Sequence, residues 1–222
     1  MKEITEAGDI VAVLLAAGSA SRFGSAKQLA PIGDVSLVRR AAQNIVAAGL
    51  ELVVITGAYA DEVAEALSGM PLRLIYNPQW QQGMGESIAC SARELLGRAA
   101  PRACLLCLAD QPLIGAPQLQ RLLDAAAEDP TCIIASDYGE TPGAEVLGPP
   151  CLFPAEFLAG LAQLSGAKGA RVLLDRYRPR VTAVAMPEAA LDIDVPEDYR
   201  RALEQLAQGG ARQPLTPQRK PR

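Results

Sequence analysis

Short apolar runs alternate with longer amphipathic segments along the first part of the chain. Ile10–Ala16 is a continuous apolar run followed closely by Gly18, a pattern typical of a buried parallel strand. Residues 35–48 carry apolar side chains at helical spacing, and Gly49 follows as a helix C-cap. Further strands are predicted at residues 52–55, 72–76, 103–108 and 132–135, and further helices at residues 61–67, 87–96 and 116–127. This order predicts an α/β sandwich with a mostly parallel sheet.

The pattern changes after Ser136. Residues 137–154 are rich in Gly and Pro and are expected to form loops and short antiparallel pieces. Helical pieces are predicted at residues 155–164 and 169–177, a strand at 181–185, and a last helix from Pro196 to about residue 207. Residues 209–222 lack apolar periodicity and are predicted to be a disordered tail, so residues 1–208 are interpreted as one domain.

The composition is that of an acidic globular protein. Of the 222 residues, 50% are hydrophobic and 21% are charged, and the formal net charge is -4. Nucleic-acid binding through a basic face is therefore not expected. The N-terminal segment carries acids and lacks a secretory pattern, and the apolar run that follows it is too short to span a membrane. We expect a cytoplasmic protein with no membrane or nucleic-acid partner.

Two residue types narrow the possible chemistry. The chain has no His, which excludes Ser-His and Cys-His catalysis and histidine metal ligands. Cys104 and Cys107 have C-x-x-C spacing, but positions i and i+3 of a strand point to opposite faces. They are interpreted as buried, unreactive thiols. Carboxylates remain as metal ligands, and these suit a hard cation.

The loop after the first strand is the strongest candidate for a binding site. Its small residues, beginning at Gly18, allow backbone N–H groups to approach phosphate oxygens. Arg22 and Lys27 add positive charge, and no acid occurs between Asp9 and Asp34. The loop is interpreted as a triphosphate site, and the alternative is an ordinary connection with two surface cations.

Two other nucleotide-binding motifs do not fit this chain. A Walker A loop has four residues between its glycines and a Lys directly after the second. Here five residues separate Gly18 from Gly24, and Lys27 stands three residues beyond Gly24. A G-x-G-x-x-G pattern begins at Gly83, but Ile88 occupies the position of its last glycine.

A carboxylate and a second glycine-containing turn are further candidates. Asp110 follows the predicted strand at residues 103–108, so it is expected at the carboxyl edge of the sheet, where it could hold a magnesium ion against a triphosphate. A turn-capping Asp is the alternative. Gly83, Gly85 and Ser87 form a turn into a helix, which could bind an anion or a ribose hydroxyl or could be a purely structural helix start.

Five short motifs occur in order along the chain. They are Ala16-Ala17-Gly18-Ser19 with Arg22, Gly24 and Lys27; N-P-x-W-x-x-G-M-x-x-S at residues 77–87; Asp110-Gln111-Pro112; Gly166 with Lys168-Gly169-Ala170-Arg171; and D-I-D-V-P-E-D at residues 192–198. In these motifs the chain resembles the MobA-like nucleotidyltransferases that act on the molybdenum cofactor, most closely the cytidylyltransferase branch. The resemblance implies a three-layer α/β/α sandwich with the Rossmann-like nucleotidyltransferase fold, also called glycosyltransferase-A-like.

The resemblance also implies an activity. CMP would be transferred from CTP to the molybdopterin cofactor with release of pyrophosphate, with Mg²⁺ as cofactor and a molybdoenzyme as a possible client. Arg22, Lys27 and Asp110 would be catalytic, and Asp110 and Asp194 would bind the metal, with Asp194 preferred to its neighbour Asp192. The implied nucleotide-binding residues are Leu15, Ala16, Ala17, Gly18, Ser19, Arg22, Lys27, Gly85, Ser87 and Asp110.

Some positions depart from the family pattern, and two alternatives stay open. Ala167 stands where the family often has Asp, and Val195 where it often has Thr; both differences concern the acceptor side more than the nucleotide side. A guanylyltransferase or another small-metabolite nucleotidyltransferase is the first alternative, although Ala17 stands where the guanylyl branch usually has Gly. A non-catalytic cofactor carrier is the second, although a carrier needs neither Lys27 nor Asp110.

Overall fold

A mixed seven-stranded sheet organises the chain. The computed structural model describes residues 10–19, 23, 26–97, 101–139 and 145–210, so the predictions for Arg22, Gly24 and most of the C-terminal tail fall outside the described residues. Within these ranges the strands are β1 (Ile10–Ala16), β2 (Pro31–Ile32), β3 (Val35–Ser36), β4 (Glu51–Thr56), β5 (Arg73–Tyr76), β6 (Ala103–Leu108), β7 (Ile133–Asp137), β8 (Leu147–Pro154) and β9 (Val181–Ala185). The α-helices are α1 (Leu37–Ala47), α2 (Ala60–Ala66), α3 (Met84–Leu96), α4 (Ala116–Glu128), α5 (Leu158–Leu161), α6 (Arg171–Arg176) and α7 (Pro196–Gly210).

The strand order creates a crevice at the centre of the sheet. The order is β5-β4-β1-β6-β8-β7-β9, and β1 pairs in parallel with both β4 and β6. The chain first builds outward from β1 through β4 and β5, and then returns to the opposite side of β1 with β6. Such a reversal opens a crevice at the carboxyl ends of the two central strands. The residues that follow β1 and β6 therefore face the same space.

Helices cover both faces of the sheet, and the alternation of side chains along the strands divides the core in two. On β1, Ala12 and Leu14 pack in one cluster with α1 and α4, whereas Val11 and Val13 pack in another with α3 and α5. This arrangement confirms the predicted three-layer α/β/α sandwich. None of the helices in the described ranges is long and apolar enough to cross a membrane.

The two cysteines with C-x-x-C spacing lie on opposite faces of β6, as predicted. Cys104 belongs to the cluster under α3, and Cys107 belongs to the cluster under α1 and α4. Burial raises the pKa of Cys104 to about 12 and raises the pKa of Cys107 as well. Both thiols therefore stay protonated and cannot share a metal ion.

The largest difference from the sequence-based prediction is β8. Its Gly and Pro content indicated loops and short antiparallel pieces. The antiparallel pairing is confirmed, but β8 is one eight-residue strand between β6 and β7. Cys151, Leu152 and Phe153 are at most 2% exposed between these two neighbours. The burial of this apolar triplet outweighs the poor strand propensity of the residues before it.

Smaller differences concern helix boundaries. The helix predicted at residues 35–48 begins at Leu37, because the Ser36 hydroxyl accepts a hydrogen bond from the Arg39 N–H at 3.4 Å and caps it. The helix predicted at residues 155–164 is instead a 3₁₀ turn followed by the short α5.

Candidate active site

A cleft of about 380 Å³ opens where the winding of the sheet reverses. Its lining includes Leu15, Ala16, Ala17, Gly18, Ser19, Lys27, Gln28, Trp80, Gly83, Met84, Ser87, Leu108, Asp110 and Asp194. Its volume falls in the range of small-molecule sites. The structure thus brings most of the residues implied by the resemblance into one cavity, although they come from five separate stretches of the chain.

The loop after β1 is fixed from both sides. The Gln28 side-chain amide is buried and donates a hydrogen bond to the Gly18 carbonyl at 3.1 Å. The Tyr59 hydroxyl donates to the Ser19 carbonyl at 3.3 Å, and the Ala58 N–H donates to the Ala17 carbonyl at 3.2 Å. With these carbonyls held, the described part of the loop keeps a defined shape at the cleft. Sequence reasoning missed Gln28 and Tyr59, because a single polar residue gives no sign of its distant partner.

Three charged groups meet in the lining of the cleft. The Lys27 Nζ atom lies 2.8 Å from Asp110 Oδ2 and 2.8 Å from Asp194 Oδ1. The side chains of Lys27 and Asp110 are 17% and 20% exposed, so this pairing is partly shielded from water. The ammonium group therefore bridges the two carboxylates that the resemblance implies as metal ligands.

The pairing keeps Lys27 charged. Burial lowers the pKa of Lys27, but the attraction and hydrogen bonds of Asp110 and Asp194 outweigh this effect and raise the pKa above its usual value. The positive charge predicted for the loop is thus present in the cleft, and in this structure it is directed at carboxylates.

Backbone contacts explain how Asp194 reaches Asp110. The Ile193 N–H donates a hydrogen bond to the Asp110 carbonyl at 3.0 Å, and the Gln111 side-chain amide donates to the Ala189 carbonyl at 2.9 Å. Ile193 is also fully buried in a small cluster beneath α7. These contacts bind the segment before α7 to the turn after β6 and carry Asp194 into the cleft.

Residues 192–194 lie directly before α7 and end in its capping segment. The segment has no regular secondary structure. The Asp198 carboxylate accepts hydrogen bonds from the N–H groups of Asp194 and Val195, both at 3.0 Å, and so caps the start of α7. Asp194 contacts Lys27 and lines the cleft, whereas Asp192 does not line it. Partial burial and the nearby charge of Asp110 raise the pKa of Asp192.

The carboxylates suit a divalent cation. Asp110 Oδ1 is buried and has no hydrogen-bond partner within the described part of the chain, so this carboxylate has an unmet demand for a ligand. The described residues contain no cluster of three or more acidic, His or Cys side chains that could hold a metal by themselves. Two carboxylates fit a hard cation that takes its other ligands from water and a bound phosphate.

The opposite wall of the cleft is built from the turn before α3. Gly83 has φ +108°, a conformation that side chains disfavour, and it lines the cleft. The Ser87 hydroxyl accepts a hydrogen bond from the buried Asn77 amide at 3.1 Å, which holds it at the cleft wall. Trp80 lines the cleft beside them and packs against the core under α3.

Gly85, implied above as a nucleotide-binding residue, packs against residues 165–166, and its nucleotide contact stays a prediction. It does not line the cleft; its N–H donates to the Gly166 carbonyl at 2.8 Å, and a Cβ atom there would lie 2.7 Å from the Ser165 carbonyl carbon. Its small size therefore serves close packing against residues 165–166. The structure describes no geometry for Arg22, whose predicted phosphate contact lies outside the described residues.

We expect Gly57→Ala to lower stability by about 1–3 kcal/mol, because overpacking shifts the surrounding backbone. A Cβ atom at Gly57 would lie 2.5 Å from the Ala17 carbonyl oxygen and 2.7 Å from Trp80 Cβ, between the two walls of the cleft. Thermal unfolding measures the effect. Gly97→Ala is the matched control, since the nearest atom to a Cβ at that position would be the Arg93 carbonyl oxygen, 3.4 Å away. Equal destabilisation of the two variants would contradict the close approach at Gly57.

Comparisons with known proteins agree with this architecture. The family model of the MobA-like NTP transferase domain matches residues 12–181. Nicotine blue oxidoreductase of Paenarthrobacter nicotinovorans is 34% identical, covering 77% of this chain and 83% of the relative. Phosphoenolpyruvate guanylyltransferase of Rubrobacter xylanophilus is 32% identical, covering 83% of this chain and 87% of the relative.

Solved structures show the same fold. A nucleotidyl transferase from Methanothermobacter thermautotroptrophicus superposes with a TM-score of 0.74 at 26% identity, covering 90% of this chain and 98% of that one. Rv0371c of Mycobacterium tuberculosis H37Rv, in complex with manganese, superposes with a TM-score of 0.71 at 27% identity, covering 88% and 98%.

Proposed function

Because this chain belongs to the MobA-like NTP transferase family, we propose that it transfers CMP from CTP to the molybdenum cofactor and releases pyrophosphate. The observation that carries the proposal is the meeting of Lys27, Asp110 and Asp194 beside the loop Ala17–Ser19 in one cleft. A small-molecule cleft at the carboxyl ends of parallel strands is where nucleotides bind in this class of fold.

The proposed reaction is a displacement at phosphorus. A phosphate oxygen of the cofactor forms a bond to the α-phosphorus of CTP, and the bond from this phosphorus to the bridging oxygen of the β-phosphate breaks. The electron pair leaves with pyrophosphate, so atoms and charge balance. The attacking phosphate is already ionised, and no strong base is required. The protein's contribution is then to position two anions and to offset their charge.

Each side chain has a distinct part in this proposal. The loop Ala17–Ser19 binds the triphosphate through its backbone, and Lys27 contributes a charge-assisted contact to phosphate oxygens. Asp110 and Asp194 hold Mg²⁺, which when bound neutralises charge on the triphosphate. Rv0371c forms a complex with manganese, which supports the use of a divalent cation by a protein of this fold. Arg22 belongs to the same phosphate-binding set on the basis of its motif alone.

We expect CTP to be used at least ~10-fold better than GTP, a difference of about 1.4 kcal/mol. Ala17 lines the cleft, and its backbone is held in place because the Ala17 carbonyl accepts a hydrogen bond from the Ala58 N–H. A purine would crowd the Ala17 methyl group more than a pyrimidine would. The values of kcat/KM for the two nucleotides measure the effect, and Ala17→Gly should narrow the difference. Equal kcat/KM for GTP and CTP in the wild type would contradict the assignment of Ala17.

A pyrophosphate-release assay tests the function as a whole. Each NTP is supplied with Mg²⁺ and either purified molybdenum cofactor or phosphoenolpyruvate, the acceptor named for a relative. Release with CTP and the molybdenum cofactor supports the proposal. Release only with GTP and phosphoenolpyruvate would assign the guanylyl alternative. A parallel arm assays nicotine blue oxidoreductase activity, the activity named for another relative. Cofactor binding without any release would indicate a carrier.

A further inference from the structure

One oxygen of each of the two carboxylates that suit a metal ion is already paired with Lys27. Asp110 Oδ2 and Asp194 Oδ1 each lie 2.8 Å from the Lys27 ammonium nitrogen. A divalent cation bound by both carboxylates would sit close to this ammonium group, and like charges at such distances repel strongly in a partly shielded site. The ammonium group and a metal ion therefore compete for one location.

Lys27 is arranged so that only its side chain needs to move. Its backbone lies in the 3₁₀ turn Lys27–Leu29, where the Lys27 carbonyl accepts the Ala30 N–H at 3.0 Å. The next residue, Gln28, is buried and bound to Gly18. The turn is thus anchored, while the long flexible Lys27 side chain lines the same cleft as Gly18 and Ser19.

We propose that Lys27 is an internal counter-ion that keeps Asp110 and Asp194 from binding a divalent cation until the phosphates of an NTP take over its ammonium group. A triphosphate on the loop Ala17–Ser19 presents more negative charge than either carboxylate, and it lies within the same cleft. Transfer of the ammonium group to the phosphates frees both carboxylates for the metal. Nucleotide and metal then bind cooperatively. The phosphates draw the ammonium group away from the carboxylates, and the metal ion occupies the carboxylates that would otherwise hold the ammonium group. The nucleotide step rests on the proposed function.

The test measures Mn²⁺ binding to the full chain by electron paramagnetic resonance of the free ion. We expect weak binding to the wild type alone and at least ~10-fold tighter binding to Lys27→Met alone, because the competing charge is gone while the aliphatic stem remains. For the wild type, a CTP analogue with a methylene bridge between the α- and β-phosphates should also tighten Mn²⁺ binding at least ~10-fold. Mn²⁺ bound by the analogue in protein-free solution is measured and subtracted.

Matched controls separate this competition from a general loss of positive charge. Arg200→Met removes a cation from an exposed pair with Glu197, 3.3 Å apart on α7, and should leave Mn²⁺ affinity unchanged. Circular dichroism verifies the fold of each variant, and Lys27→Gln gives the same comparison if Lys27→Met is unfolded.

The outcomes distinguish this inference from the proposed function. Equal Mn²⁺ affinities of the wild type and the neutral Lys27 variant, without nucleotide, would overturn the counter-ion role. An analogue that leaves wild-type affinity unchanged would overturn the nucleotide step. Failure of CTP as a substrate, by contrast, would overturn the proposed function and leave the nucleotide-free comparison standing.

Discussion

Asp110→Asn should fold like the wild type and lose at least ~10²-fold in kcat, the size typical when one electrostatic contact to a transition state is removed. Asn keeps the shape of the side chain but removes the charge that a hard cation requires. The fold should persist, because Lys27 retains its contact to Asp194 at 2.8 Å and the Asp110 carbonyl still accepts the Ile193 N–H. Steady-state kinetics at saturating CTP measure the effect, and thermal unfolding verifies the fold.

Two further variants sharpen this prediction. Asp194→Asn should be impaired to a similar degree, and the double variant should be scarcely worse than either single one, because residues that act through one ion are not additive. Raised magnesium should partly rescue the single variants. Asp124→Asn, on the exposed side of α4, is the matched control and should keep full activity. An Asp110→Asn enzyme that is fully active at ordinary magnesium would refute the assignment.

Lys27→Met should lower kcat/KM by about 10²-fold, although we expect the same variant to bind a divalent cation more tightly. The loss follows from the missing charge-assisted contact to the phosphates, which neither the metal nor the loop backbone can replace. Kinetics with CTP as the varied substrate measure it. Raised magnesium should not rescue this variant, in contrast to Asp110→Asn.

The opposite responses to magnesium identify which role each residue has. Arg200→Met again serves as the control, because it removes an exposed cation that does not line the cleft. If Lys27→Met has wild-type kcat/KM, the only function of Lys27 is to pair with Asp110 and Asp194, and its predicted contact to the phosphates is wrong. If magnesium restores its activity, the defect lies in metal binding and the counter-ion role is wrong.

The central part of the fold was predictable from the sequence because its signals are local. The apolar run Ile10–Ala16 is long enough to identify β1 without knowledge of its neighbours, and the periodicities of α1 and α4 depend only on residues a few positions apart. β8 was not predictable in the same way, because Cys151–Phe153 is a strand only through burial between β6 and β7. Its neighbours along the chain are rich in Gly and Pro and indicate loops and short pieces rather than one long strand.

The candidate site also has parts that the sequence could locate and parts that it could not. The loop after β1 and Asp110 could be located because each directly follows a recognisable strand. The choice of Asp194 came from the resemblance, and the hydrogen bond from Ile193 to Asp110 shows how this residue reaches the cleft. The bridge that Lys27 makes between the two carboxylates had no sequence signal, because it joins positions 27, 110 and 194 through side-chain geometry alone.

The most direct measurement follows the α-phosphate of CTP. The full chain is incubated with Mg²⁺, purified molybdenum cofactor and CTP that carries radioactive phosphorus at the α position, and the products are separated. We expect one labelled phosphate to enter each cofactor molecule, together with the cytosine base, while the released pyrophosphate stays unlabelled. Label that remains in CTP or leaves as free CMP, with the cofactor unchanged, would contradict the proposed cytidylyl transfer.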